Sequence, residues 1–304
     1  MVLVSIQQMI EPNFFIIGAA KSGTTSLWSY LRQHPQIYMP EIKEPSFFSL
    51  DYKHNLTYEK YIYLFSGALE KKAKAIGEAS HAYLTSPESA TLIKEKYNNA
   101  KFIIMLRNPA DRAFSLYQWM VREGYEWIYP FEKAIEAEEE RILDKEFKYN
   151  NPQYYYNYLY YRSGLYSNQI ERYVKLFNRD RIKFLIFDDF KKDILSKTRE
   201  IYQFLEVESN FLPEVNVKNK MKYPFSVFLQ FFFKKKLNCI IRKIGISKSA
   251  RKKIVSCAMD INIYMGSLKN ETLHVETKKE LVSRYHNDII LTSNIIERDL
   301  RVWL

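Results

Sequence analysis

Cysteine is scarce in this chain. Only Cys239 and Cys257 occur in 304 residues. Their spacing fits neither a disulfide framework nor a metal-ligand set, which suits a reducing compartment. Long apolar runs are also missing. The longest, "FSVFLQFFF" from Phe225 to Phe233, falls well short of the roughly 20 residues that a membrane-spanning helix needs. The first ten residues, "MVLVSIQQMI", have no basic n-region, and Glu11-Pro12 interrupt any apolar core, so no signal peptide is expected. There is no internal repeat and no low-complexity linker. Acidic residues are absent from one stretch: between Val215 and Met259 there are twelve Lys and Arg and no Asp or Glu. Removing those twelve from the 46 basic residues leaves 34 against 35 acidic ones, so this segment carries the whole net charge of +11. That is a local anion-attracting surface rather than a generally basic protein.

An apolar content of 47% and 24 Tyr with 20 Phe supply ample core material. The length suits one large α/β domain or a domain with an appendage. "NFFIIGAAKSGTTSLWSYLRQHP" reads as a buried strand over Phe14 to Ile17, a glycine turn, and a helix from about Thr24 whose face is Leu27, Trp28 and Leu31. "KAKAIGEAS", "AKFIIMLRNP" and "RIKFLIFDDF" each hold a short apolar run that stops at polar residues, as parallel strands do at their carboxyl ends. Pro109 opens a helix that Gly124 closes. A further helix is expected over 131–145, another at "SKTREIYQFLEV", and an amphipathic one in the tail from Val275. Strands alternating with helices imply a largely parallel sheet of about five strands, with ligands outside its carboxyl edge.

"GAAKSGTT", Gly18 to Thr25, keeps the glycine spacing of a nucleotide phosphate loop but has its lysine, Lys21, two residues before the second glycine, Gly23. Backbone N–H groups from Ser22 to Ser26, with the following helix end, form a nest for an anion. Thr24, Thr25 and Ser26 add hydroxyls, and Lys21 adds a cation. The rival reading is an ordinary glycine turn between strand and helix. Phosphate kinases hold Mg²⁺ with an Asp that ends a second strand; here "KFIIML" ends in Arg107, so no metal site is expected and ATP chemistry is disfavoured. Arg107 and Ser115, about two turns into the next helix, would converge on one further phosphate, unless Arg107 is only a helix-flanking ion-pair partner.

These residues resemble the sulfotransferases that use 3′-phosphoadenosine 5′-phosphosulfate (PAPS), especially the branch of heparan sulfate sulfotransferases and their bacterial relatives. "FFIIGAAKSGTTSLWSYLRQHP" looks like that family's 5′-phosphosulfate loop and "FIIMLRNPADRAFSLYQ" its 3′-phosphate motif. "EIKEPSFFS" and "GEASHAYLTSP" resemble two segments of its acceptor cleft. "RSGLYSNQIERYVKLF", "RIKFLIFDDF" and "IIERDLRVWL" match later landmarks. The likeness covers roughly Asn13 to Asn210 and the last thirty or so residues.

The resemblance implies a P-loop-like three-layer α/β fold, a central parallel β-sheet flanked by helices, and PAPS as donor with 3′-phosphoadenosine 5′-phosphate (PAP) as product. It implies that Lys21, Ser22, Gly23, Thr24, Thr25 and Ser26 bind the 5′-phosphosulfate, with Lys21 neutralising the departing oxygen. It implies that Arg107 and Ser115 bind the 3′-phosphate, that Gly164 and Tyr166 of its "G-x-Y" lie near the nucleotide, and that Glu44 is the general base. Lys43 reads as a solvated neighbour. Ala79 stands where some relatives carry a lysine. His81, where proline is common, is a candidate second acid/base or acceptor-binding group. Glu78 ranks second among the acids, to orient Lys21 or an acceptor hydroxyl. In "YYYNYLYYRSGLY" several rings are expected in the core.

The expected protein is thus one domain over 1–304, with 215–259 a basic lid-like or membrane-facing insertion. It is expected in the cytoplasm, in peripheral contact with an anionic membrane at most, and without a nucleic-acid partner. The acceptor is expected to be a carbohydrate or a lipid-linked glycan, sulfated at a hydroxyl in preference to an amine. The alternatives are a nucleotide kinase and a basic membrane-binding protein with a vestigial nucleotide site.

Overall fold

Five apolar runs pair in parallel into a single sheet: β1 (Phe14–Gly18), β2 (Ile37–Tyr38), β3 (Ala75–Ala79), β4 (Lys101–Leu106) and β5 (Ile182–Ile186), in the order β2-β3-β1-β4-β5. The structure is a computed structural model, which describes residues 10–52, 56–215, 223–243, 246–266 and 271–304. The segment from which the leader expectation came (1–9), Lys218, Lys220 and Lys222 of the basic stretch, and the side chains of Cys239 and Lys243 lie outside the described residues.

The chain divides into two compact units. The described residues of the first run to Arg107, from Tyr166 to Val215, and from Asp288 to Val302; those of the second are 108–165, 223–287 and 303–304. All five strands belong to the first unit. β1 is buried along its whole length, as a central strand covered on both faces must be. Alternation then sorts its side chains. Phe14 and Ile16 pack with Ile103 and Met105 of β4, with Leu27 and Leu31 of the helix Thr24–Leu31, and with Ile201 and Tyr202 of the helix Ile194–Phe204. Phe15 turns to the other face, stacking on Phe102 and meeting Tyr83 edge-on. Phe102 there meets Tyr173 and Phe177, from the helix Tyr166–Leu176 and just beyond it. Helix, sheet and helix make the three expected layers.

β1 lies between β3 and β4, so the chain leaves β1 toward one side of the sheet and returns on the other. The carboxyl end of β1 is thus the switch point where α/β sheets open a crevice. The turn after β1, Arg107 after β4 and Glu78–His81 at the end of β3 all lie along this edge.

In the second unit, the helix Pro109–Arg122 has Pro at its first position and is capped by the Asn108 side chain, which accepts from the Ala110 and Asp111 amides. The helix expected over 131–145 is instead three short ones, Phe131–Glu136, Glu138–Leu143 and Lys145–Asn150. Asp144 is extended and its carboxylate accepts from the Glu146 and Phe147 amides, ending one helix and capping the next. Tyr154, Tyr155, Tyr158 and Tyr160 are buried, as the tyrosine run led one to expect. The tail helix is Val275–Ile296. Among the described residues no helix is long and apolar enough to cross a membrane.

Candidate active site

The turn after β1 alternates unusual backbone states. Lys21 has φ 64 and Gly23 φ 92, both in the left-handed region that non-glycine residues rarely occupy. Such alternation points successive amides toward one side, as an anion nest requires. Gly23 is also the N-cap of the helix Thr24–Leu31, with no side chain to satisfy the first amides. It cannot carry a side chain: a Cβ there would sit 2.9 Å from the Phe187 ring and 3.1 Å from the Met105 sulfur. The Ser22 side chain is fully buried, and its hydroxyl has no hydrogen-bond partner among the described residues. Thr24 is buried, Ser26 half-buried and Thr25 exposed. The Ser22 amide is turned back to Ala19 O at 3.3 Å, so the open part of the nest begins at Gly23 rather than at Ser22.

Arg107 reaches this turn. Its Nη1 donates to the Lys21 carbonyl at 3.2 Å, and its guanidinium lies over the Phe187 ring at 5.0 Å. Tyr166 donates its hydroxyl to the Arg107 carbonyl at 3.0 Å. Tyr166 is itself fixed through Asp288, whose carboxylate accepts from the Tyr166 amide at 2.8 Å and from the Ser167 amide at 3.1 Å. The sequence reading missed Phe187 and Asp288. Phe187 opens the helix Phe187–Lys192 directly after β5, and only the packing shows that it backs both the loop glycine and the arginine.

Ser115 occupies the second turn of the helix Pro109–Arg122 in the second unit and is half-buried. Gly164 lies in that unit too, pressed against the Tyr285 hydroxyl and Arg112; a Cβ would come within 2.6 Å of that hydroxyl. Gly164 is thus closely packed within its own unit, while Tyr166 hydrogen-bonds Arg107 in the first unit.

Glu44 and His81 meet. His81 Nδ1 stands 2.8 Å from Glu44 Oε2, and the His81 amide donates to the same oxygen at 2.8 Å. Lys43 Nζ hydrogen-bonds Oε1. Lys43 is therefore a partner of the acid and not the solvated neighbour expected; its side chain is only 16% exposed, against 18% for Glu44. Burial resists the Glu44 charge, but the charges and hydrogen bonds of His81 and Lys43 outweigh it and hold the carboxyl down at about 2. Glu44 too is left-handed, at φ 62, and its amide donates to Ala79 O at 3.0 Å. Ala79 thus contributes its backbone. Ser80 in turn donates its amide to Ile16 O of β1 at 3.0 Å, which sets the acid loop and the glycine loop on neighbouring strand ends.

Glu78, expected to orient Lys21 or an acceptor hydroxyl, is enclosed by protein hydroxyls. It is 1% exposed and accepts from Tyr83 at 2.6 Å, Tyr61 at 2.8 Å and Ser80 at 2.5 Å. Burial, with the nearby Glu44 charge, exceeds what these donors return, and the carboxyl is pushed up to about 7. Among the described residues no three His, Cys, Asp or Glu side chains are grouped so as to hold a metal.

Residues 11–256 match the sulfotransferase domain family. A solved sulfotransferase from Alicyclobacillus acidocaldarius superposes with a TM-score of 0.71 at 30% identity, covering 97% of this chain and 99% of that one. The membrane-associated sulfotransferase kil1 of Dictyostelium discoideum is 38% identical over 137 residues, 43% of this chain and 29% of its own length. A bifunctional heparan sulfate N-deacetylase/N-sulfotransferase of Caenorhabditis briggsae is 22% identical over 228 residues, 75% of this chain and 25% of its own. The chain thus spans less than a third of either curated relative. With a parallel five-stranded sheet, a glycine loop at its switch point and a family match over most of its length, this chain belongs to the sulfotransferase family.

Proposed function

We propose that the protein transfers a sulfonate group from PAPS to a hydroxyl of a carbohydrate-type acceptor. The observation that carries this reading is the turn at Lys21. Its cation precedes the loop apex, its backbone is left-handed, and its carbonyl is gripped by Arg107, the cation that ends β4. The acceptor oxygen attacks sulfur in line while the bond from sulfur to the bridging 5′-phosphate oxygen breaks. Lys21 stabilises the charge that develops on that oxygen, and the amides from Gly23 onward with the Ser22 hydroxyl hold the phosphosulfate. Arg107 and Ser115 bind the 3′-phosphate. Glu44 takes the acceptor proton, with His81 holding its carboxylate. We read 1–304 as one sulfotransferase domain with 215–259 as an insertion.

The decisive experiment is calorimetric titration with PAP, beside ADP and ATP with Mg²⁺, repeated on Arg107→Ala. Binding of PAP without metal, weakened about 30-fold or more in the variant, is the expected result. Preference for ATP with Mg²⁺ would restore the kinase reading. Transfer of radiolabelled sulfonate to desulfated heparan and chondroitin oligosaccharides then screens acceptors.

A second reading concerns the basic insertion. Phe225, Phe228 and Leu229 are 49%, 66% and 39% exposed, and the exposed Lys235 and Lys236 follow on the same stretch. Exposed apolar side chains beside lysines suit the surface of an anionic bilayer, and one relative is named as membrane-associated. Sedimentation with phosphatidylserine vesicles should retain the protein at low salt and release the triple variant Lys234→Ala, Lys235→Ala, Lys236→Ala.

A further inference from the structure

Glu78 is buried, titratable and unused by the chemistry above, yet its hydrogen bonds lead directly to the loop that carries Glu44. A hydroxyl has one proton to give. Ser80 gives its proton to Glu78 Oε2 and so presents lone pairs, one of which accepts the Ser46 amide at 3.0 Å. Tyr83 gives its proton to Oε1 and faces the Phe48 amide at 3.4 Å. The loop that carries these amides is strained: Glu44 has φ 62 and Ser46 φ 50. Left-handed non-glycine residues persist only where their surroundings over-determine them. Tyr61, by contrast, donates to Oε1 from the helix Tyr58–Tyr63, and it meets the loop through its ring, stacked on Phe47 and edge-on to Phe48, which a phenylalanine would keep.

We propose that Glu78 is a positioning residue for Glu44: its carboxylate fixes the direction of the Ser80 and Tyr83 hydroxyls, and these hold the Ser46 and Phe48 amides that keep the acid loop in its left-handed turn. The role assigned to Glu44 rests on the sulfotransferase reading; the hydrogen-bond relay does not. The relay needs the ionised, acceptor-only carboxylate, so it is complete only above the carboxyl's own value of about 7, and the exchange is read there. A glutamine would present an NH₂ to one of the hydroxyls, which would then have to turn a lone pair toward it and its own proton away, so that the lone pair facing the loop amide is no longer held in place.

The test is amide hydrogen exchange on the full chain, read as protection factors at Ser46 and Phe48, in wild type, Glu78→Gln, Ser80→Ala and Tyr61→Phe. Glu78→Gln should lower protection at both amides by about tenfold or more, and Ser80→Ala should do so at Ser46 alone. Tyr61→Phe removes a partner of Glu78 that serves no loop amide, and should leave both unchanged. Protection in β1 and affinity for PAP should stay within about twofold throughout, while turnover with an acceptor found in the oligosaccharide screen falls about tenfold in Glu78→Gln at unchanged KM. Unchanged protection at Ser46 in Glu78→Gln, or an equal loss across the sheet and in Tyr61→Phe, would overturn the proposal. Failure of wild type to bind PAP would sink the sulfotransferase reading and leave the exchange pattern to decide on Glu78 alone.

Discussion

Two donors of one residue, the ring Nδ1 and the main-chain N–H of His81, converge on a single carboxylate oxygen of Glu44, each at 2.8 Å. A carboxyl held at about 2 is ionised at every physiological pH, so the loop always offers an acceptor for a hydroxyl proton. Its basicity is low. On the proposed role of Glu44 as base, the substrate must displace or weaken the His81 contact before the carboxylate takes a proton, which makes His81 the residue that sets its strength.

Replacing His81 by glutamine removes the imidazole and leaves burial opposed by Lys43 and the main-chain N–H at position 81. The Glu44 carboxyl should then move upward from about 2. Protonation disables the base, so activity that wild type keeps in mild acid should be lost at higher pH in the variant. The check is the acid limb of kcat/KM against pH; an unmoved limb would separate His81 from the base.

Lys21→Met keeps the length of the side chain and removes its charge. If the lysine acts on the departing oxygen, transfer should fall by about 10²–10³-fold, as for loss of one donor aimed at a developing charge. Affinity for PAP should weaken by about tenfold at most. Equal losses in binding and turnover would mean that the cation merely holds the nucleotide.

Gly23→Ala meets both a left-handed backbone and the Phe187 ring. A cost of about 1–3 kcal/mol in stability is expected, seen as a lower unfolding midpoint. Loss of PAP binding should accompany it, because the same distortion turns the first helical amides.

His34 is buried, its Nδ1 accepting from the Gln36 amide at 3.0 Å and its Nε2 standing 2.8 Å from Glu208 O. This pairing needs a neutral ring with its proton on Nε2. Burial lowers its pKa, the Glu208 carbonyl partly opposing and Lys71 adding to the shift. The unfolded chain thus binds the proton more readily, and stability should decline as pH falls below about 6.5. Urea unfolding at a series of pH values, in wild type and His34→Gln, isolates the contribution; identical slopes would exclude it.

The strand, turn and helix from Phe14 to Leu31 could be read from contiguous residues, because apolar run, glycine and helical face follow one another without a gap. Arg107 was legible for the same reason, as the first polar residue after a buried strand. β2 was not: its two residues are a strand only because β3 pairs with them. Nor was the break at Asp144, where a short acid competes with the helix for its own backbone. The Glu44–His81 contact spans 37 residues and depends on β3 ending beside the acid loop, which no local pattern encodes. Lys43 was misread for a related reason. Its sequence neighbours say only that it is charged, while the fold decides that it is enclosed. Glu78 was ranked by chemistry alone: Ser80 and Tyr83 follow it within five residues, but nothing local shows that they turn back on it or that Tyr61 joins them from a separate helix.

The contact between Asp288 and Tyr166 has a consequence for synthesis. The glycine loop is translated early, but the grip on Arg107 depends on Tyr166, and the helix start that presents Tyr166 is capped from Asp288. A growing chain thus possesses its phosphate loop long before it possesses the anchored arginine. If PAP binds here as proposed and needs the anchored arginine, it should protect arrested chains from proteolysis only when their length carries Asp288 beyond the exit tunnel.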